Sequence, residues 1–224
     1  MINDLSSTGT FSIRDAKPSD SEFIARNVLA AMGYEVFTDA AADSRIEVGS
    51  ASLNIQDAIK AFGEVCARPD TLYSYTRTRV ACVGGKAVGT LTAYSGDDYQ
   101  PLRDLTWELL NSVFAESGSD DSSVASGLAE PECRPGEFYL DSMAILPEYR
   151  RMTFEYAGST DRIGHLLMLD GIEQGRWKGF PRISLIVDKA KPRLFAYYSA
   201  LGFRPDGEIL FFGHLYDRMI KDLD

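Results

Sequence analysis

"EFYLDSMAILPEYRRMTFEYAGSTDRIGHLLM", residues 137–168, is the stretch that decides the fold. It begins as a β-prone strand, turns at Pro147, and ends at the start of a helix that we expect from about Arg162 to Trp177. A strand that leads through a loop into a helix presents the unpaired amides of the first helical turn to an anion. The stretch therefore predicts a phosphate-binding turn, which extra residues interrupt.

The segments on either side predict a mixed α/β domain. Two alternating apolar runs flank Gly84 and Gly85 and predict a β-hairpin. "RISLIVD" (182–188) is typical of a strand, and "KPRLFAYYSALGF" (191–203) of a short helix closed by Gly202. We expect one domain over residues 11–224, a flexible N-terminus over residues 1–10, and a mobile loop in the Ser- and Gly-rich residues 115–136.

Composition narrows the class of protein. The formal net charge of -10 argues against a nucleic-acid partner, and an acidic surface suits a cationic substrate. The three cysteines lack the spacing of a disulfide framework or a zinc site, and the two histidines, His165 and His214, have no metal-ligand spacing. We therefore expect no bound metal.

The chain has no apolar run near the ~20 residues that span a bilayer. Its first residues, "MINDLSSTGT", lack the basic and apolar regions of a signal peptide. We expect a soluble, cytoplasmic protein with no membrane partner.

Three stretches together resemble the GNAT superfamily of N-acetyltransferases. They are "LDSMAILPEYR" (140–150), "IGHLLM" (163–168) and "LIVDKAKPRLFAYYSALGF" (185–203). The resemblance implies a mixed sheet flanked by helices and acetyl-CoA as co-substrate. It also implies direct transfer of acetyl to an amine in a ternary complex.

The same resemblance assigns the residues that would bind acetyl-CoA. The backbone of a splayed strand at Met143, Ala144 and Ile145 would bind the pantetheine arm. The pyrophosphate would bind at the loop and at the start of the helix, and a lysine that replaces the family's frequent asparagine would also contact the cofactor. The residues assigned to these contacts are Arg150, Arg151, Arg162, Ile163, Gly164 and Lys191.

The family motif continues directly from Arg150 to two glycines, but here Thr153–Asp161 intervenes and Arg162 replaces the first glycine. In one interpretation the insertion bulges outward, Asp161 or Ser159 caps the helix, and the Arg162 amide faces the phosphate. In the other, acidic residues of the insertion and the Arg162 side chain obstruct the anion site. We favour the first, because backbone amides do not depend on side-chain identity.

Catalytic candidates follow from the resemblance and from strand periodicity. Tyr198 lies where the family has the tyrosine that protonates the leaving thiolate. Asp141 and Glu137 share one face of a strand with Tyr139, so Asp141 is our candidate base and Glu137 the reserve. An ordinary core tyrosine and ordinary strand carboxylates are the structural alternatives.

We expect the acceptor, a small and cationic amine, between residues 33–52 and 97–136. Both segments carry acids, and nearby aromatic residues would line the slot. The acids are Glu35, Asp39, Asp43, Asp97, Asp98, Asp120 and Asp121, and the aromatic residues are Tyr34, Phe37, Tyr94 and Tyr99.

Two alternative functions remain open. One is a degenerate relative that binds acyl-CoA or another ligand without transfer. Another is transfer of acetyl to a protein terminus or lysine. A homodimer through the C-terminal strands is also compatible with the fold.

Overall fold

The computed structural model describes residues 9–38, 44–48, 51–115, 131–211 and 214–223. The expected flexible start, at residues 1–8, and much of the expected mobile loop, at residues 116–130, lie outside these ranges. Four of the proposed acceptor-site acids, Asp39, Asp43, Asp120 and Asp121, lie outside them too.

Strands and helices alternate along the chain. The strands are β1 Phe11–Asp15, β2 Arg45–Val48, β3 Ala51–Asn54, β4 Thr78–Val83, β5 Lys86–Ser95, β6 Glu137–Ile145, β7 Thr153–Tyr156, β8 Ser159–Arg162, β9 Arg182–Asp188, β10 Arg204–Phe211 and β11 His214–Asp222. The helices are α1 Ser21–Ala31, α2 Ile55–Cys66, α3 Tyr99–Ala115, α4 Ile163–Trp177 and α5 Pro192–Ala200.

Seven strands form one mixed sheet in the order β1-β4-β5-β6-β9-β11-β10. All neighbours in it are antiparallel except β6 and β9. One core on the first face contains residues of α1, α2 and α3, and another on the second face contains residues of α4. The predicted single-domain α/β fold is confirmed.

The predicted hairpin is present, with Gly84 and Gly85 both at positive φ in the turn between β4 and β5. The pair β2–β3 and the second C-terminal strand were not expected from the sequence. No helix in the described part of the chain is long and apolar enough to cross a membrane.

Two irregularities of β6 shape the region of the candidate site. The first is that β6 pairs with β9 only from Glu137↔Arg182 to Tyr139↔Ser184, so the two strands diverge beyond Tyr139. The second is an extra residue in β6 between the pairs Leu140↔Ala93 and Met143↔Leu91, which bulges the strand at Asp141 and Ser142. Bulges of this kind re-aim side chains beside functional sites.

Helix α4 sits close against the sheet through a glycine. A Cβ on Gly171 would lie 2.6 Å from Leu91 Cδ2 and 3.1 Å from Leu140 Cδ2, so a larger residue would require these leucine side chains to shift. The closely seated helix directs its N-terminus toward the end of β6, where Gly164 lies near Met143. The sheet and helix thus bring the two halves of the opening stretch together.

Candidate active site

The inserted segment folds as a hairpin away from the helix start. Strands β7 and β8 pair from Thr153↔Arg162 to Tyr156↔Ser159, around Ala157 and Gly158 at positive φ. Its ends are therefore adjacent, and the chain re-enters α4 close to where it left the loop. The chain path of the insertion is therefore the one that the first interpretation predicted.

Aromatic and polar contacts anchor the hairpin to the sheet edge and to α4. Phe154 is buried and stacks on Phe11 of β1 at a ring-centroid distance of 5.0 Å. The Tyr156 hydroxyl donates to Asp170 Oδ1 at 3.1 Å, and Asp170 also pairs with Arg79. These contacts hold the insertion on the outer side of β1.

The helix cap differs from the sequence expectation. Arg162 is the N-cap residue of α4 in place of Asp161 or Ser159, and its side chain makes no capping hydrogen bond. Asp161 Oδ1 instead accepts the Arg162 amide at 2.7 Å, which leaves that amide unavailable to a phosphate. In this structure the adjacent carboxylate satisfies the Arg162 amide, so the predicted contact of that amide with a phosphate would require the carboxylate to move.

The N–H groups without a helical hydrogen-bond acceptor are those of the residues that follow Arg162 in α4. Ile163, Gly164 and His165 form the first turn of α4, where no helical carbonyl lies upstream to accept their N–H groups. Gly164 is unencumbered: a Cβ there would meet only Met143 Cε, at 3.9 Å. This turn has the donors, the space and the dipole direction that an anion requires.

Cationic side chains surround this helix start. Arg151 and Arg162 are exposed and make no ion pair with another described residue. Arg150 donates from Nε to the Ile145 carbonyl at 3.0 Å and lies 6.0 Å from the Phe37 ring. The arginine side chains can neutralise a phosphate that the amides orient.

Helix α5 borders the same region. The Tyr197 hydroxyl lies 3.0 Å from His165 Nδ1, which joins α5 to the first turn of α4. Tyr198, the next residue, packs against Phe203 and Tyr197, and burial raises the pKa of its hydroxyl above the ordinary value. A tyrosine with a raised pKa stays protonated and can donate a proton.

Lys191 is exposed at the N-cap of α5. Its neighbour Lys189 pairs with Glu208 and Asp217, so Lys189 is less free to meet a ligand. Lys191 makes no ion pair with another described residue and stays a candidate for the phosphates of a cofactor.

The two candidate bases have different surroundings. Glu137 is buried and pairs with Arg218 of β11, while its carboxylate also accepts the Arg134 amide at 3.0 Å. Asp141, at the bulge, is half-buried and accepts hydrogen bonds from Tyr94 at 2.5 Å and Ser142 at 2.6 Å. Burial raises the pKa of Asp141, which is the direction that a base for an ammonium proton needs.

A carboxyl group that sequence analysis missed lies beside Asp141. Glu132 is buried, accepts a hydrogen bond from the Tyr139 hydroxyl at 2.7 Å, and lies 3.3 Å from the Tyr99 hydroxyl. Burial, with the charge of Asp141, raises the pKa of Glu132 to about 8. Glu132 belongs to the aperiodic loop before β6, where sequence pattern carries no burial signal.

The predicted aromatic residues of the acceptor side divide into two groups. Tyr94 and Tyr99 are buried and stack at 6.2 Å, close to the two carboxyls. Tyr34 is exposed, and Phe37 lies near Arg150. Glu35 caps the Phe37 amide and Asp97 the Gly136 amide, so both of these acids have local structural partners.

Comparison with solved structures places the fold. A crystal structure of an acetyltransferase is 26% identical, covers 95% of this chain and 100% of its own, and superposes with a TM-score of 0.66. An N-acetyltransferase from Staphylococcus aureus Mu50 is 23% identical over 93% of this chain and 99% of its own, with a TM-score of 0.67. PaiA N-acetyltransferase from Thermoplasma acidophilum in complex with coenzyme A is 14% identical over 96% of this chain and 99% of its own, with a TM-score of 0.51.

No family model matches the sequence, and no curated protein matches it. The assignment therefore depends on the fold and on the motifs in their spatial places: the divergent strands, the open helix start and the Tyr-x-x-Leu-Gly-Phe end of α5. In its fold the chain is similar to these acetyltransferases, as the sequence resemblance to the GNAT superfamily predicts.

Proposed function

We propose that the protein is an acetyl-CoA-dependent N-acetyltransferase that acts on a small, cationic amine. The observation that carries the proposal is the divergence of β6 from β9 beside an uncapped α4 N-terminus. Divergent strands leave backbone groups for the amides of an extended arm, and the helix start offers donors for a pyrophosphate.

In this proposal the helix start and the arginines orient the donor. The first-turn amides, including that of Gly164, donate to phosphate oxygens, while Arg150, Arg151 and Arg162 contribute positive charge. The backbone of Met143–Ile145 positions the pantetheine arm along β6. Fixing both ends presents the thioester carbonyl to an acceptor at the bulge.

Proton transfer completes the proposed reaction. Asp141 takes a proton from the acceptor ammonium, and the neutral amine attacks the thioester carbonyl carbon. The new C–N bond forms as the C–S bond breaks, and Tyr198 gives its hydroxyl proton to the leaving thiolate. The nitrogen loses its second proton after attack, and this proton passes through solvent to the Tyr198 phenolate. Asp141 then releases the proton that it took to solvent, so both side chains return to their starting state.

The choice of Asp141 over Glu137 follows from their partners. Glu137 is held by Arg218, which favours its ionised form but keeps it occupied and buried. Asp141 has only tyrosine and serine hydroxyl partners and retains partial exposure. The hydroxyls can yield to a substrate more readily than a buried arginine.

Calorimetric titration with acetyl-CoA, followed by a thiol-release assay with a panel of amines, tests the function. We expect micromolar binding, about -8 kcal/mol, and CoA release that depends on an amine. Binding without release for any amine would favour the ligand-binding alternative. A folded protein that does not bind acetyl-CoA would overturn the proposal.

A variant that joins Met152 directly to Arg162 is the matched control for the insertion. Because Thr153 and Arg162 are paired neighbours at the base of the hairpin, this deletion requires little movement of the helix start. We expect acetyl-CoA to bind both proteins with similar affinity. Binding only after deletion would mean that the hairpin closes the site.

A further inference from the structure

Glu132 and Asp141 form a cluster of carboxyls without a basic partner in the described part of the chain. Several other buried or half-buried acids pair with arginine: Glu137 with Arg218, Asp170 with Arg79, and Asp20 with Arg14. Glu132 and Asp141 have only hydroxyl partners. Arg103 is buried and its charge lowers the pKa of Glu132, but it lies too far from both carboxyls for an ion pair. A buried acid without a counter-ion is costly, so this arrangement suits a cation that arrives from outside.

Three tyrosines enclose the two carboxyls. The Tyr94 and Tyr139 rings are 5.5 Å apart, and Tyr94 stacks on Tyr99 at 6.2 Å. Each hydroxyl is directed to one of the carboxyls, which leaves ring faces as the remaining lining. Aromatic faces and carboxylates both attract an ammonium group.

The hydroxyl group of Ser184, which lacks a hydrogen-bond partner in the part of the chain that the structure describes, lies on the same face of the sheet as this cluster. Ser184 is fully buried, and its Oγ has no hydrogen-bond partner among the described residues. It is paired with Tyr139 in the parallel ladder, and paired residues project to the same face of the sheet. Its neighbours Ile183 and Leu185 belong to the opposite core, which confirms that Ser184 lies on the face of Tyr139. The pair is the last before β6 and β9 diverge.

We propose that Glu132, Asp141, Ser184 and the three tyrosines bind the primary ammonium group of the acceptor, with Glu132 as its principal counter-ion. This inference rests on the proposed function, since it names the acceptor class of that same site. A primary ammonium has three N–H donors, and the cluster offers three acceptor side chains. A quaternary ammonium has none and leaves the Ser184 hydroxyl unpaired.

The protonation state of Glu132 gives the binding a pH signature. Its pKa of about 8 means that the carboxyl is largely neutral near pH 7, and a bound cation requires the ionised form. The titratable and charged groups that interact with it electrostatically are Asp141, Arg103, Cys133, Tyr73, Tyr94, Tyr99, Tyr139 and Tyr216. Between pH 6 and pH 8 the ammonium affinity should rise on the order of ten-fold or more.

NMR titration of the ¹⁵N-labelled full chain with 1-aminobutane, butyltrimethylammonium and 1-butanol tests the inference without acetyl-CoA. We expect 1-aminobutane to bind at least about ten-fold more tightly than the other two. Glu132→Gln should weaken it by about ten-fold and abolish the rise with pH, while Ser184→Ala should weaken it a few-fold. Glu108→Gln, an exposed carboxyl on α3, is the control and should match the parent protein.

Equal binding of the three probes would overturn the inference. So would unchanged 1-aminobutane binding in Glu132→Gln, or no binding by the folded parent. If Glu132→Gln fails to fold, unchanged binding in Ser184→Ala overturns it instead. If the protein binds 1-aminobutane with the expected selectivity but does not bind acetyl-CoA, only the proposed function is refuted. If it binds acetyl-CoA but shows no selective binding of 1-aminobutane, only the ammonium site is refuted.

Discussion

Gly164→Asp tests whether the α4 N-terminus binds a phosphate. Gly164 lies in the first helical turn, and a Cβ there meets nothing closer than Met143 Cε at 3.9 Å. The aspartate side chain therefore fits without repacking. A glycine that packing does not require, beside uncapped amides, is expected where a ligand approaches the backbone closely.

Gly164→Asp should raise the stability of the fold but lower its affinity for acetyl-CoA. A negative charge near a helix N-terminus stabilises the fold by about 0.3–1 kcal/mol, and replacing a glycine within a helix acts in the same direction. The same charge about 5 Å from a phosphate costs about 3 kcal/mol at an effective dielectric constant of about 20. Screening by salt reduces that cost, so we expect acetyl-CoA to bind about 10- to 100-fold more weakly.

Urea unfolding and calorimetric titration with acetyl-CoA measure the two effects on the same preparations. Gly164→Asn, of equal size and without charge, is the matched control, and it should lose much less affinity. Equal acetyl-CoA affinity of the Asp and Asn variants would refute the placement of the phosphate at this helix. Loss of folding stability in both variants would instead show that the glycine is needed for packing.

Three further predictions concern the proposed chemistry and the core. Tyr198→Phe should lower kcat about 100-fold in steady-state kinetics, while calorimetry should show unchanged affinity for acetyl-CoA. An unchanged kcat would mean that Tyr198 is an ordinary core residue. Asp141 must be ionised to act as base, so activity should fall as pH falls through its raised pKa; Asp141→Asn should lose both activity and this acidic limb of the pH–rate profile. Arg218→Met leaves Glu137 and Asp206 without their buried partner and should lower the free energy of unfolding in urea by about 3–5 kcal/mol. The control, Arg204→Met, removes an exposed arginine and should lower it by less than about 1 kcal/mol. Equal losses in the two variants would contradict the argument from burial.

The fold was largely predictable because its main signals are local. The Gly84-Gly85 turn, the β-prone residues 182–188 and the strand–loop–helix from residue 137 onward each depend on neighbours in sequence. The order of these elements then restricts the topology. The pair β2–β3 escaped prediction because short strands between helices carry little periodic signal.

The site was predictable only in part, because its decisive features depend on distant contacts. The Arg162 amide is satisfied by Asp161, and the role of Glu137 is determined by Arg218, which lies 81 residues away. The burial of Glu132 depends on tyrosines from α3 and β6. Periodicity identifies which residues share a face, but it does not identify which charge meets which partner.

The hairpin β7–β8 enters and leaves the domain at one point, since Thr153 and Arg162 are partners at its base. Its length is therefore independent of the geometry of the catalytic framework. The turn at Ala157 and Gly158 is an attachment point at which a reporter group or a whole domain can be grafted. A fluorophore placed there would lie at the tip of a ribbon whose base adjoins the start of α4, outside the residues that we propose to bind the ligand.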